Sequence, residues 1–131
     1  MRNDSADAYI KQTASYLRVE VPMGDDTQVE EIYRSLAVVC IQRQITRVLV
    51  KVAQDDHGGE RALRDAFKAI LLAGIALDFR IALIAATQRV EAAYRNAQRE
   101  LSLANVNVQI FDSEGAAVQW LDASGARVAV A

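Results

Sequence analysis

Apolar and polar positions along this chain switch between two periods, and the switches mark out its elements. Val48, Leu49, Val50 and Val52 form a mostly β-branched run broken only by Lys51. That run predicts a strand over Thr46 to Val52 that is covered on both faces, as in a parallel sheet. Phe79, Ile81, Leu83 and Ile84 predict a second buried strand. Tyr16, Leu17, Val19 and Val21 alternate with Arg18 and Glu20, which suits a half-exposed strand near a sheet edge. Val106, Val108, Ile110 and Phe111 likewise alternate with Asn107 and Gln109. A weaker strand over Ala8 to Lys11 is placed to pair with Tyr16–Val21 as a hairpin through Gln12 to Ser15. Pro22, Gly24 and Asp25 then turn the chain.

Between the strands the period lengthens to three and four. Thr27-Gln28-Val29-Glu30 has the spacing of a capping box, so a helix is expected from there to about Gln44. Its core face is Val29, Ile32, Tyr33, Leu36, Ala37 and Cys40. Val38, Val39 and Ile41 make that face wider than one stripe requires, enough to fill the core or to bury a homodimer contact. After Gly59, Leu63, Ala66, Phe67, Ile70 and Leu71 predict a second helix, with Arg61, Arg64, Asp65 and Lys68 facing water. Thr87 is placed to cap a third, whose inner face is Val90, Ala93, Tyr94, Ala97, Leu101 and Ala104. Glu91 and Arg95 on its outer face stand at ion-pair spacing. Asp112 or Ser113 caps a short final helix with Ala117, Val118, Trp120 and Leu121 inward.

The predicted order is β-β-α-β-α-β-α-β-α. Strands alternating with helices imply right-handed crossovers and an α/β fold, a mixed, mostly parallel sheet of about five strands with about four helices. A length of 131 residues suits one domain over 1–131. Residues 1–7 and 123–131, the latter with Ser124 and Gly125, are expected to be loosely ordered.

Composition narrows the class. A net charge of −2 with 24% charged residues has no basic excess, so no nucleic-acid partner is expected. Cys40 is the single cysteine, which leaves no internal disulfide and suits a reducing compartment. On an apolar helical face it is expected to be a small buried hydrophobe. No apolar stretch has the length of a membrane span. The polar start, Met1-Arg2-Asn3-Asp4-Ser5, lacks a signal-peptide apolar region, so a soluble, cytoplasmic protein is expected.

In open α/β sheets, ligands and partners bind beyond the carboxyl ends of the strands. The loop after Val52 would stand there, which makes Asp55, Asp56, His57, Gly58, Gly59 and Glu60 the candidate interaction loop. Thr87, Gln88, Asp112 and Ser113 are secondary candidates at the same sheet edge. Chemistry at these residues is thin. His57 is the only histidine, and adjacent Asp55 and Asp56 diverge in most turns, so neither a metal site, with Asp112 as a fourth ligand, nor acid–base work is expected. His57 has no nucleophile in its own loop. Gly58-Gly59 before a helix suits an anion, but Asp55, Asp56 and Glu60 repel one. The expected catalytic, metal and cofactor set is therefore empty.

The order of elements resembles the STAS fold of the bacterial anti-sigma factor antagonists. Three segments resemble its SpoIIAA-like branch, related to STAS and SEC14-type domains. They are Arg47-Val48-Leu49-Val50-Lys51-Val52, Phe79-Arg80-Ile81-Ala82-Leu83-Ile84, and Val108-Gln109-Ile110-Phe111 through Ala117 to Trp120-Leu121. The resemblance covers about residues 8 to 122. It implies a bacterial, non-catalytic regulatory domain that binds another protein. In the antagonists a serine or threonine after the central strand is phosphorylated. The matching loop here, Asp55 to Gly59, has no hydroxyl residue, so that switch does not carry over. Kinship with SEC14-type domains, and surplus aliphatic residues around Ala69 to Leu77, imply an alternative: a carrier or sensor of a small apolar, lipid-like ligand.

Overall fold

Four strands that each lie beside the one before, all parallel, set the plan of the molecule. The computed structural model describes residues 9–22, 26–53, 58–74, 79–104 and 106–130, of which 26, 58–60 and 123–130 as backbone alone. Its elements are β1 (Ile10–Gln12), β2 (Leu17–Val21), α1 (Asp26–Arg43), β3 (Arg47–Val52), α2 (Gly58–Leu72), β4 (Arg80–Ala85), α3 (Gln88–Leu103), β5 (Asn107–Phe111) and α4 (Glu114–Val130). The sheet order is β1-β2-β3-β4-β5, with only β1 antiparallel to its neighbour. The expected α/β class and order of elements are observed.

Right-handed crossovers that always step the same way deposit their helices on one face. Accordingly α1, α2 and α3 share the larger core with Leu17, Val19, Val21, Val48, Val50, Val52, Ile81, Leu83 and Val108. The opposite face has a separate small core, where Ala117 and Leu121 of α4 meet Leu49 and Ala82. This explains the two strand patterns. β3 and β4 lie under helices on both sides and read as near-continuous apolar runs, whereas β2 and β5 alternate.

Local chemistry closes the elements. In the β1–β2 turn the Thr13 hydroxyl donates to the Tyr16 carbonyl at 2.9 Å and accepts from the Tyr16 N–H at 3.1 Å. The Thr87 side chain accepts from the Val90 N–H, and Ser113 Oγ from the Ala116 N–H at 3.2 Å, so both act as the expected N-caps. Gly74, at φ 85, turns the chain out of α2 in the left-handed region that glycine adopts without strain. Inside the large core, the Tyr33 and Tyr94 hydroxyls lie 2.9 Å apart and link α1 to α3. Burial, reinforced by Tyr94, pushes the Tyr33 phenol well above its ordinary range.

Three boundaries differ from the sequence pattern. α1 begins at Asp26, so Thr27 lies inside the first turn and does not cap it. α2 begins at Gly58, which places Gly58, Gly59 and Glu60 in a helix and not in a loop. Glycine is tolerated there because the first N–H groups of a helix lack internal partners in any case. α4 is longer than the short helix expected and runs to Val130. Its small residues suggest a tail, yet alanine is the best helix former. Residues 1–7 lie outside the described residues.

An ion-pair network pins α4 to the sheet. Arg18 of β2 donates from Nε to Glu114 Oε2 at 2.7 Å and from Nη2 to Oε1 at 3.1 Å. Lys51 Nζ stands 3.4 Å from the same carboxylate, and Arg18 also bonds Glu20 at 2.6 Å. The hydrogen bond from Arg18 holds the Glu114 carboxyl at about 2, below its ordinary 4.5, against the opposing effect of burial. Glu114 is 35% exposed, so solvent screens the pair and Glu114→Gln is expected to cost only about 1 kcal/mol at neutral pH. The folded state holds the carboxylate form. The difference between wild type and variant is therefore full above pH 4.5, shrinks as pH falls from there and vanishes near 2. Urea midpoints measured across that range test this, and a gap that stays constant with pH contradicts it.

Candidate functional site

The carboxyl ends of β2, β3 and β4 come to one rim because these strands are neighbours in register: Glu20 beside Lys51 beside Ile84, and Val21 beside Val52 beside Ala85. Just past the strands the chain is tied across. The Ala53 N–H donates to the Val21 carbonyl at 2.9 Å, and the Ala86 N–H to the Val52 carbonyl at 3.0 Å. Both alanines are exposed and small, so the rim is left hollow. The result is a cleft of about 390 Å³ lined by Glu20, Val21, Pro22, Lys51, Val52, Ala53, Ile84 and Ala86. Its Glu20–Lys51–Ile84 row belongs to the α4 face of the sheet. One carboxylate, one ammonium and a set of aliphatic groups line it, with the Arg18–Glu114 pair close behind.

The expected loop falls mostly outside this description. Asp55, Asp56 and His57 lie outside the described residues, as do the side chains of Gly58, Gly59 and Glu60, whose backbone opens α2. Thr87, Gln88, Asp112 and Ser113 stand at the expected end of the sheet and are exposed, but none lines the cleft. Thr87 and Ser113 spend their hydroxyls on helix caps, and Gln88 is the first residue of α3. Comparison with known proteins finds no matching family model, no similar curated protein and no similar solved structure.

Other features offer less chemistry. A larger trough of about 590 Å³ runs between α1 and α2, floored by Ala37, Ala62, Ala66 and Ala69 and rimmed by Glu30, Arg34, Arg61 and Asp65. It follows from alanines that let two helices approach. Arg64, expected to face water, instead reaches Glu100 of α3 at 2.9 Å. Cys40 is fully buried, and burial pushes its thiol up to about 12, so it stays protonated and packs as a hydrophobe. Among the described residues, no three His, Cys, Asp or Glu side chains gather as a metal ligand set requires. No helix among them is long and apolar enough to cross a membrane.

The cleft residues carry no motif. Glu20 and Lys51 are legible only as the polar side of two strands, and Ala53 and Ala86 as nothing at all. What assembles them is the neighbour order of β2, β3 and β4.

Proposed function

We propose that this chain is a non-catalytic protein-interaction module of the STAS kind, and that it receives its partner at the carboxyl ends of β2, β3 and β4. The cleft there carries this reading. Among the described residues its lining offers aliphatic contact and one pair of opposite charges, with no hydroxyl, imidazole or thiol. Such a surface suits an apolar side chain from a partner, with a polar rim around it. The order of elements supports the family part of the proposal, and the hydroxyl-free stretch from Asp55 to Gly59 sets it apart from antagonists that work by phosphorylation.

A second reading draws on the same cleft. Its volume falls within the range of small-molecule sites, and its walls are largely aliphatic, as a carrier of an apolar ligand requires. The aliphatic surplus near Ala69 favours it less, since Leu72 at 89% exposure lies at the other end of the sheet.

One experiment separates the two. Wild-type protein and Ala86→Arg, which fills the mouth of the cleft at an exposed position, are used as baits in lysate from the native cell. A stoichiometric protein partner is expected with wild type, reduced at least about tenfold with the variant, a loss of about 1.4 kcal/mol or more. Equal recovery by both sinks the cleft as the docking site. Native mass spectrometry of the same preparation, showing an added small-molecule mass that Ala86→Arg loses, would favour the carrier.

A further inference from the structure

The second surface lies at the opposite margin of the sheet from β5, away from the cleft. β1 is an edge strand of three residues, paired only with β2 among the described residues. Hydrogen bonds at Tyr9 and Thr13 fix its phase: the Glu20 N–H donates to the Tyr9 carbonyl and the Thr13 N–H to the Tyr16 carbonyl, both at 2.9 Å. In an antiparallel pair, residues that bond the partner alternate with residues that face away. Tyr9, Lys11 and Thr13 therefore turn their backbone groups toward β2, and Ile10 and Gln12 turn theirs outward.

Above this edge α1 overhangs the sheet. A cleft of about 540 Å³ separates them, with Ile10 and Gln12 on one wall and Arg34, Val38, Val39 and Arg43 on the other. Val38 is 46% exposed, the apolar surplus already evident in the sequence of this helix. The charges of the lining are two arginines and no acid. Arg43 donates to the Gln12 side-chain carbonyl at 2.6 Å, while Arg34 has no ion pair among the described residues. Glu31, one turn earlier on α1, does not line the cleft. Lys11 projects, exposed, from the other face of the same strand.

We propose that the outer edge of β1, together with the overhanging flank of α1, takes up an extended acidic segment of a partner protein as a sixth strand. Backbone groups of Ile10 and Gln12 supply the ladder, Val38 and Val39 take apolar side chains, and Arg34, Arg43 and Lys11 meet carboxylates. Charge decides the occupant. A second copy of this chain at the same edge sets Lys11, Arg34 and Arg43 against their own equivalents, and like charges directly opposed across strands destabilise the pairing. An acidic strand meets no such repulsion. This surface is independent of the cleft at the strand ends, and either can stand without the other.

The test is an NMR titration of the full chain with a blocked octapeptide Glu-Glu-Val-Val-Glu-Glu-Val-Val, which as a strand presents both residue types on each face, and a control with lysine in place of glutamate. The acidic peptide is expected to shift the Ile10 and Gln12 amides and slow their hydrogen exchange. Gln12→Pro deletes an outward N–H without touching the β1–β2 ladder, and is expected to weaken binding about tenfold or more. Val38→Glu acts on an exposed helical position, so it keeps the proposal testable if the proline variant fails to fold; the same loss is expected. Arg34→Glu is expected to shift preference toward the lysine peptide, and Ala86→Arg to leave binding unchanged. Equal binding of both peptides, no shift at millimolar acidic peptide, or a dimer of the free protein that Gln12→Pro dissolves would each overturn the proposal.

Discussion

Phe67→Ala is expected to lower the free energy of unfolding by about 4 kcal/mol. Phe67 lies on α2, the middle helix of the three-helix layer, and is fully buried. Its ring meets that of Phe79 edge to face, with centroids 5.1 Å apart and 74° between the planes. Removing it opens a cavity at the centre of the larger core and also deletes an aromatic pair worth about 1 kcal/mol beyond its buried area. Domains of this size hold about 5–15 kcal/mol in all, so the variant should be close to unfolding at moderate temperature. Phe67→Leu keeps most of the volume and is expected to cost about 1.5 kcal/mol or less. Urea denaturation followed by far-ultraviolet circular dichroism measures both. A Phe67→Ala midpoint equal to wild type would show that α2 is not packed as described.

Leu121→Ala should act on one element more than on the whole. Leu121 is buried against Leu49, Ala82 and Ala117, and among the described residues these four form the buried set beneath α4. The expected loss is about 3 kcal/mol, a large part of what holds so small a contact together. Trp120, the single tryptophan, reports on it directly. Its ring lies 5.5 Å from that of Phe111, and the Arg80 guanidinium stands over it at 5.7 Å. The variant is expected to show red-shifted tryptophan emission in the absence of denaturant, while the circular dichroism of α1, α2 and α3 persists, because the two cores are separate clusters and each is expected to open on its own. Unchanged emission would mean that the Arg18–Glu114 pair, not the apolar patch, holds α4 in place.

Much of this architecture is legible in the sequence because burial on one face or two leaves different patterns. The near-continuous apolar runs of β3 and β4 announce strands covered twice, and the alternation at Arg18, Glu20, Asn107 and Gln109 announces strands covered once. Thr87 and Ser113 are legible as caps because their hydroxyls are the expected partners of free N–H groups. The length of the last helix is not: its alanines favour a helix, but Ser124 and Gly125 read as a stop. The start of α2 at Gly58 is hidden for a similar reason, since glycine is read as a stop.

The candidate site was legible in place but not in residues. A strand ending in Val52 points to its carboxyl end, yet which strands flank that end depends on tertiary order. Glu20, Ala53 and Ala86 become neighbours only because β2 and β4 both lie against β3. Their types carry no chemistry of their own. Shape and a few charges set this rim apart, and neither forms a motif along the chain.

The account rests on the rim formed by β2, β3 and β4 being where a partner docks. Photo-crosslinking in the native cell tests that most directly, with a photoreactive residue at position 53, beside the cleft, and in a second protein at position 103. Leu103 is 82% exposed and stands at the opposite end of the sheet. Position 53 should yield a protein adduct of one discrete mass and position 103 none. An adduct from position 103 with none from position 53 would place the working surface at the wrong end of the molecule.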